Sequence, residues 1–144
     1  MKKITVFVSL FLLLINSAQA AGTDSTNEVV KPSSYTSIVK MIKEEKYNDA
    51  IKALEEILKK NKYQADPDIL THYAFALRKT KNFPKAEEYY LKALSIDPNH
   101  RGALEYIGEL YVDTNRLDLA NATLKKLENC RCEEYAELKN YINK

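Results

Sequence analysis

The sequence predicts an all-α fold, a solenoid of about three antiparallel helix pairs followed by a C-terminal capping helix, and three observations predict it. Apolar residues recur at helical spacing from Ser37 onward. A set of bulky and small residues, Leu70, Tyr73, Ala74, Leu77, Ala86 and Tyr90, returns 34 residues later as Leu104, Ile107, Gly108, Tyr111, Ala120 and Leu124. A helix pair of that length cannot bury its apolar face alone, so successive copies must stack. Prolines punctuate the pattern at Pro67, Pro84 and Pro98, where helices are expected to start or stop.

Residues 1–20 stand apart from this pattern. Lys2 and Lys3 form a basic start, Ile4 to Ile15 is an apolar run broken only by Thr5 and Ser9, and Ser17-Ala18-Gln19-Ala20 supplies small residues where a signal peptidase cuts. The expectation is a Sec-type signal peptide cleaved after Ala20 and a periplasmic or secreted mature chain. The apolar run falls short of the roughly 20 residues that cross a bilayer, so no membrane span is expected after cleavage. A lipid anchor would need a cysteine where Ala21 stands. Loss of Lys2 and Lys3 takes the formal charge from +2 to zero, which leaves no global field to draw the chain to nucleic acid or an anionic membrane. The remaining residues suffice for one domain with a continuous core.

Residues 21–36 are polar, lack helical periodicity and contain Pro32-Ser33-Ser34; they read as a flexible leader to a helical domain at 37–144. Ile38, Met41 and Ile42 mark a first helix. After a break at Tyr47-Asn48-Asp49, the residues Ala50, Ile51, Leu54, Ile57 and Leu58 mark its partner. Asp66 is placed to cap the third helix, with Pro67 at its first position, where no amide hydrogen is missed. That helix runs to about Thr80, Phe83-Pro84 opens its partner, and Asp97-Pro98-Asn99 closes the pair near Ile96. A third pair is expected over 101–113 and 117–129. Tyr135, Leu138 and Ile142 then share one face of a terminal helix.

The residues at these fixed positions resemble the tetratricopeptide repeat, over about 100 residues of the chain. Counting Pro67 as the first position of the middle unit, Ala74, Ala86 and Ala93 fall where that family brings its two helices close. Leu70, Tyr73, Leu77 and Tyr90 fall where it packs bulky side chains between them. The third unit departs at Leu127 and Cys132, which replace a small residue and a proline. In the first unit only Tyr47, Ala50 and Leu54 of the second helix follow the pattern, and two extra residues precede the next unit. The resemblance implies a right-handed solenoid whose first helices line a concave, protein-binding face.

The resemblance assigns the outward positions of that face. They are Asp68, Thr71, His72, Phe75, Arg78 and Lys79 in the middle unit, and Gly102, Glu105, Tyr106, Glu109, Val112 and Asp113 in the third. Helical spacing groups His72 with Phe75 and Lys79, and Glu105 with Glu109 and Val112. The expected groove is basic on one side and acidic on the other, with Phe75 and Tyr106 as apolar anchors. Such a surface suits a peptide or helix of mixed charge. One subclass of the family grips a terminal carboxylate with Lys and Asn; Thr71 and Phe75 stand at two of those positions, so that activity is not implied here.

Cys130 and Cys132 admit three readings. In an oxidising compartment a lone pair of thiols tends to bond, which across one residue requires non-helical, extended backbone at Arg131. Cys130 aligns with Ile96, so it also reads as a small buried hydrophobe. Arg131 beside the thiols favours a redox role, and a Cys-Arg-Cys could hold monovalent copper, although no His or Met lies nearby. Cysteines ahead of Glu133-Glu134-Tyr135-x-x-Leu138 look like those of certain small exported bacterial members of the repeat family, a likeness that implies no activity.

Nothing in the sequence assembles a catalytic site. His72 and His100 are the two histidines, and no Gly-rich loop, serine elbow or zinc spacing accompanies them. No metal or other cofactor is expected. His100, after Pro98-Asn99, is expected to face solvent. Tyr47, Tyr73, Tyr90 and Tyr111 fall at packing positions rather than on a base-stacking platform, and Asn121-Ala122-Thr123 matches a glycosylation acceptor inside a helix, where it is discounted. The function expected is an exported interaction module whose partner is a protein or peptide of the cell envelope; the alternative is a thiol-redox or copper-handling protein using Cys130 and Cys132.

Overall fold

A computed structural model describes residues 30–144. The expected signal peptide, its cleavage site and residues 21–29 of the leader lie outside the described residues. Seven α-helices follow in order: α1 (Tyr35–Lys43), α2 (Tyr47–Leu58), α3 (Pro67–Lys79), α4 (Phe83–Ile96), α5 (Arg101–Asp113), α6 (Leu117–Leu127) and α7 (Glu133–Ile142). Among the described residues there is no strand, and the fold is an all-α helical repeat. Helix α1 packs on α2, α3 on α4 and α5 on α6, while α7 closes the stack against α5 and α6.

Small residues set the close approaches. Ala74, Ala86, Ala93, Ala103 and Ala120 are fully buried, and Tyr73, Tyr90, Leu54, Leu70, Ile107, Leu110 and Leu138 fill the spaces between them. Asp66 caps α3 by accepting from the Ile69 amide at 3.1 Å, with Pro67 in the first turn. The Arg116 guanidinium spans both Glu87 oxygens at 2.9 and 2.8 Å, joining the start of α6 to α4.

Each first helix ends in the same way. Glu45, Lys81 and Asn115 have φ of 58, 63 and 58°, the left-handed conformation that closes a helix without glycine at some steric cost. The following amides of Lys46, Asn82 and Arg116 donate back to Met41, Leu77 and Tyr111 at 2.9, 2.9 and 2.7 Å. The first pair therefore carries the repeat's turn in full, although its sequence follows the pattern only in its second helix. The two extra residues ahead of α3 are absorbed by a 3-10 turn at Asn61–Tyr63, which buries Tyr63.

Boundaries shift where local chemistry competes. Helix α1 starts at Tyr35, inside the expected leader, because the Tyr35 ring is buried and its amide donates to Pro32 O at 2.8 Å. Tyr47-Asn48-Asp49 is the first turn of α2 rather than a break; the chain reverses at Glu44–Lys46. Lys31 Nζ lies 2.7 Å from Asp68 Oδ2 and 3.7 Å from Asp66 Oδ2, so the residues before α1 are held against the start of α3.

Candidate functional site

The first helices of the pairs share one face, and its centre is aromatic. Phe75 on α3 and Tyr106 on α5 lie with ring centroids 4.8 Å apart, and Tyr47 meets the other side of Phe75 at 6.2 Å. With Val39, Ile42, Lys43, Glu45 and His72 these rings line a cavity of about 290 Å³. Lys79 holds its ammonium 5.7 Å from the Phe75 centroid and 5.9 Å from that of Tyr47, a cation–π arrangement at the cavity's edge. The Tyr35 hydroxyl lies 2.5 Å from His72 Nδ1. Burial is the main cause that holds the His72 pKa below its ordinary value, so this ring is neutral near pH 7.

Arg78, Glu109 and Asp113 of this face are paired with one another rather than split into the basic and acidic sides expected. Arg78 is only 5% exposed; its guanidinium binds Glu109 and reaches Asp113 Oδ2 at 2.9 Å. Tyr141 on α7 stands under the same guanidinium at 5.8 Å and donates to Asp113 Oδ1 at 2.7 Å. Burial raises the Glu109 pKa in spite of Arg78 beside it. Arg78, Lys79 and Asp113 border a second cleft with Phe83 and Tyr141.

Thr71 and Glu105 are likewise not outward. Each is 3% exposed, because their shared repeat position, occupied by Tyr35 in the first unit, faces the seam between successive first helices. Thr71 Oγ1 is buried without a partner. Glu105 is pushed up to about 9, by burial first and then by the neighbouring carboxyl group of Glu137 on α7. It is thus a neutral acid at pH 7. Of the groove residues expected, His72, Phe75, Lys79 and Tyr106 remain for contact with a ligand, while Thr71, Arg78 and Glu105 are interior and Glu109 and Asp113 are engaged by Arg78.

His100 does not face solvent as expected. Its side chain is 15% exposed, and Nδ1 accepts from the Ala103 amide at 3.1 Å, which makes it the cap of α5. With Nδ1 accepting, Nε2 carries the proton and donates to Asp68 Oδ1 at 2.9 Å. Asp68 is held far below the carboxylate range, chiefly by that hydrogen bond and next by Lys31 against the opposing cost of burial. The group ties α3 to α5 and the N-terminal residues to both.

The sulfurs of Cys130 and Cys132 meet at bonding distance, with Cα atoms 5.1 Å apart. Cys130 is exposed rather than a buried hydrophobe, and Cys132 packs against Leu104, Leu127 and Leu138. Arg131 turns through φ 51°, a left-handed residue rather than the extended one expected. Among the described residues no group of three or more His, Cys, Asp or Glu side chains could hold a metal ion, and no helix is long and apolar enough to cross a membrane.

Sequence reasoning missed Val39, Ile42 and Tyr47 of the cavity, and Glu137 and Tyr141 of α7. The signal for Val39 and Ile42 was present. Allowing the two extra residues, Val39 aligns with Phe75 and Ile42 with Arg78, which brings α1 into the same register as α3.

The model of the tetratricopeptide repeat matches residues 67–100, the span of α3, α4 and the turn into α5. No curated protein matches the chain. Set beside the repeated pairs and their common turn, that match supports the tetratricopeptide repeat family for this chain.

Proposed function

We propose that the chain is an exported, non-catalytic interaction module that binds a peptide or helix of a cell-envelope protein across the face of α1, α3 and α5. The repeat match supports a protein–protein interaction role, and the aromatic cavity carries the choice of surface: Tyr47, Phe75 and Tyr106 present partly exposed rings with apolar Val39 and Ile42 between them. Paired aromatics at the bottom of a cleft are the usual energetic centre of such interfaces. The ligand side chain that fits is apolar, and Lys43, Glu45 and Lys79 at the edge accept a segment carrying both charges. Lys2, Lys3, the apolar run and the small residues up to Ala20 support export, with residues 21–34 as the leader, and a bond between Cys130 and Cys132 suits the same compartment.

Photo-crosslinking groups placed at Lys43 and Lys79 test this. In envelope fractions both positions should capture the same protein, and a group at Leu91, exposed on α4, should not. Phe75→Ala with Tyr106→Ala should abolish the capture while far-ultraviolet circular dichroism stays helical. Equal capture from Leu91, or retention by the double variant, would sink the proposed surface.

A further inference from the structure

The turn between α6 and α7 holds a cysteine pair that the binding surface does not use. We infer that Cys130 and Cys132 form an exchangeable disulfide that oxidises the dithiol of a second protein. The paired residues are two apart, so their bond closes a loop too small to restrict the unfolded chain much, and it is poorly suited to act as a staple. Arg131 between them holds a left-handed φ, a conformation that a non-glycine residue adopts at a cost.

The two sulfurs are unequal. Cys130 is exposed, whereas Cys132 is partly covered by Leu104, Leu127 and Leu138. An incoming thiolate therefore reaches Cys130 Sγ. Attack there forms a mixed disulfide and breaks the Sγ–Sγ bond, and the electron pair leaves on Cys132 Sγ. Cys132 is the N-cap residue of the ten-residue helix α7, and its side chain makes no capping bond in the paired state. A released thiolate at that position gains the amides of the first turn and the charge of Arg131. Glu133 and Glu134 oppose it from the same turn, but Glu134 is drawn toward Arg101, 3.8 Å away. Stabilisation of the reduced form is what makes a disulfide oxidising. The second thiolate of the target then displaces Cys130. The target loses two electrons and two protons, and Cys130 and Cys132 gain them as thiols.

The test uses the purified oxidised chain and, as probe, a reduced peptide carrying two cysteines. At pH 7 the chain should oxidise the peptide at least about tenfold faster than an equal concentration of oxidised glutathione, and acid-trapped intermediate should carry the peptide on Cys130. The reduced chain should keep its helical circular dichroism. A rate no greater than that of glutathione, adduct on Cys132 instead, or unfolding on reduction would each overturn the inference. Because the wild-type chain is measured, poor folding of a cysteine variant cannot obscure the result, and loss of capture at the aromatic face leaves it untouched.

Discussion

Glu105 shows how one buried carboxyl group makes the stability of this chain depend on pH. In the fold its pKa is pushed up to about 9, against about 4.3 for an unfolded glutamate. Between those values the folded chain holds a proton that the unfolded chain has lost. The stabilisation is therefore complete in acid below the unfolded value and declines as pH rises toward the folded one. Glu109, raised by burial despite Arg78, adds a slope of the same sign. Glu105→Gln keeps the shape of the neutral acid and removes its proton. Melting temperature measured from pH 6 to pH 9 should fall for the wild type and fall less for Glu105→Gln, which should be the more stable protein at pH 9. Parallel curves would mean that Glu105 is ionised in the fold.

Among the elements, α7 depends most on a single absent side chain. A Cβ at Gly108 on α5 would lie 2.5 and 2.7 Å from the two methyl carbons of Leu138, and Leu138 is fully buried with Leu104 and Leu127 beneath α7. Alanine in place of glycine favours a helix by about 1 kcal/mol, but it requires the fully buried Leu138 side chain to shift. Gly108→Ala should raise amide hydrogen exchange throughout α7 while leaving α3 and α4 protected; unchanged protection of α7 would show that Leu138 repacks. The helices themselves were legible in the sequence, because Pro67, Pro84 and the apolar spacing act within a few residues of the chain. The turns at Glu45, Lys81 and Asn115 were not, since no glycine marks them and their left-handed geometry follows from the reversal into the next helix. The early start of α1 was equally hidden, because it depends on the burial of the Tyr35 ring against residues distant in sequence.

On the scale of the whole molecule, the candidate site was legible as a list of positions and illegible as a set of exposures. The resemblance to the repeat set Phe75 and Tyr106 on one face, but helical spacing carries no information on how far apart adjacent first helices stand, and that distance decides that Arg78 is closed in by Glu109, Asp113 and Tyr141. The consequence reaches beyond the site. Units of a solenoid are held by contacts between neighbours, and Arg78 joins α3 to α5 directly and links α5 to α7 through Asp113 and Tyr141. Removing one partner of a buried ion pair strands the other, at a cost on the order of 3–5 kcal/mol. Arg78→Met, which keeps much of the side-chain volume, should thus lower the melting temperature well beyond what a surface substitution does. The loss should be smaller at pH 5.5 than at pH 8, because Glu109, already raised by burial, takes up a proton once its cation is gone. An Arg78→Met protein that melts like the wild type at pH 8 would show that the Arg78 cluster does not help to hold α3, α5 and α7 together.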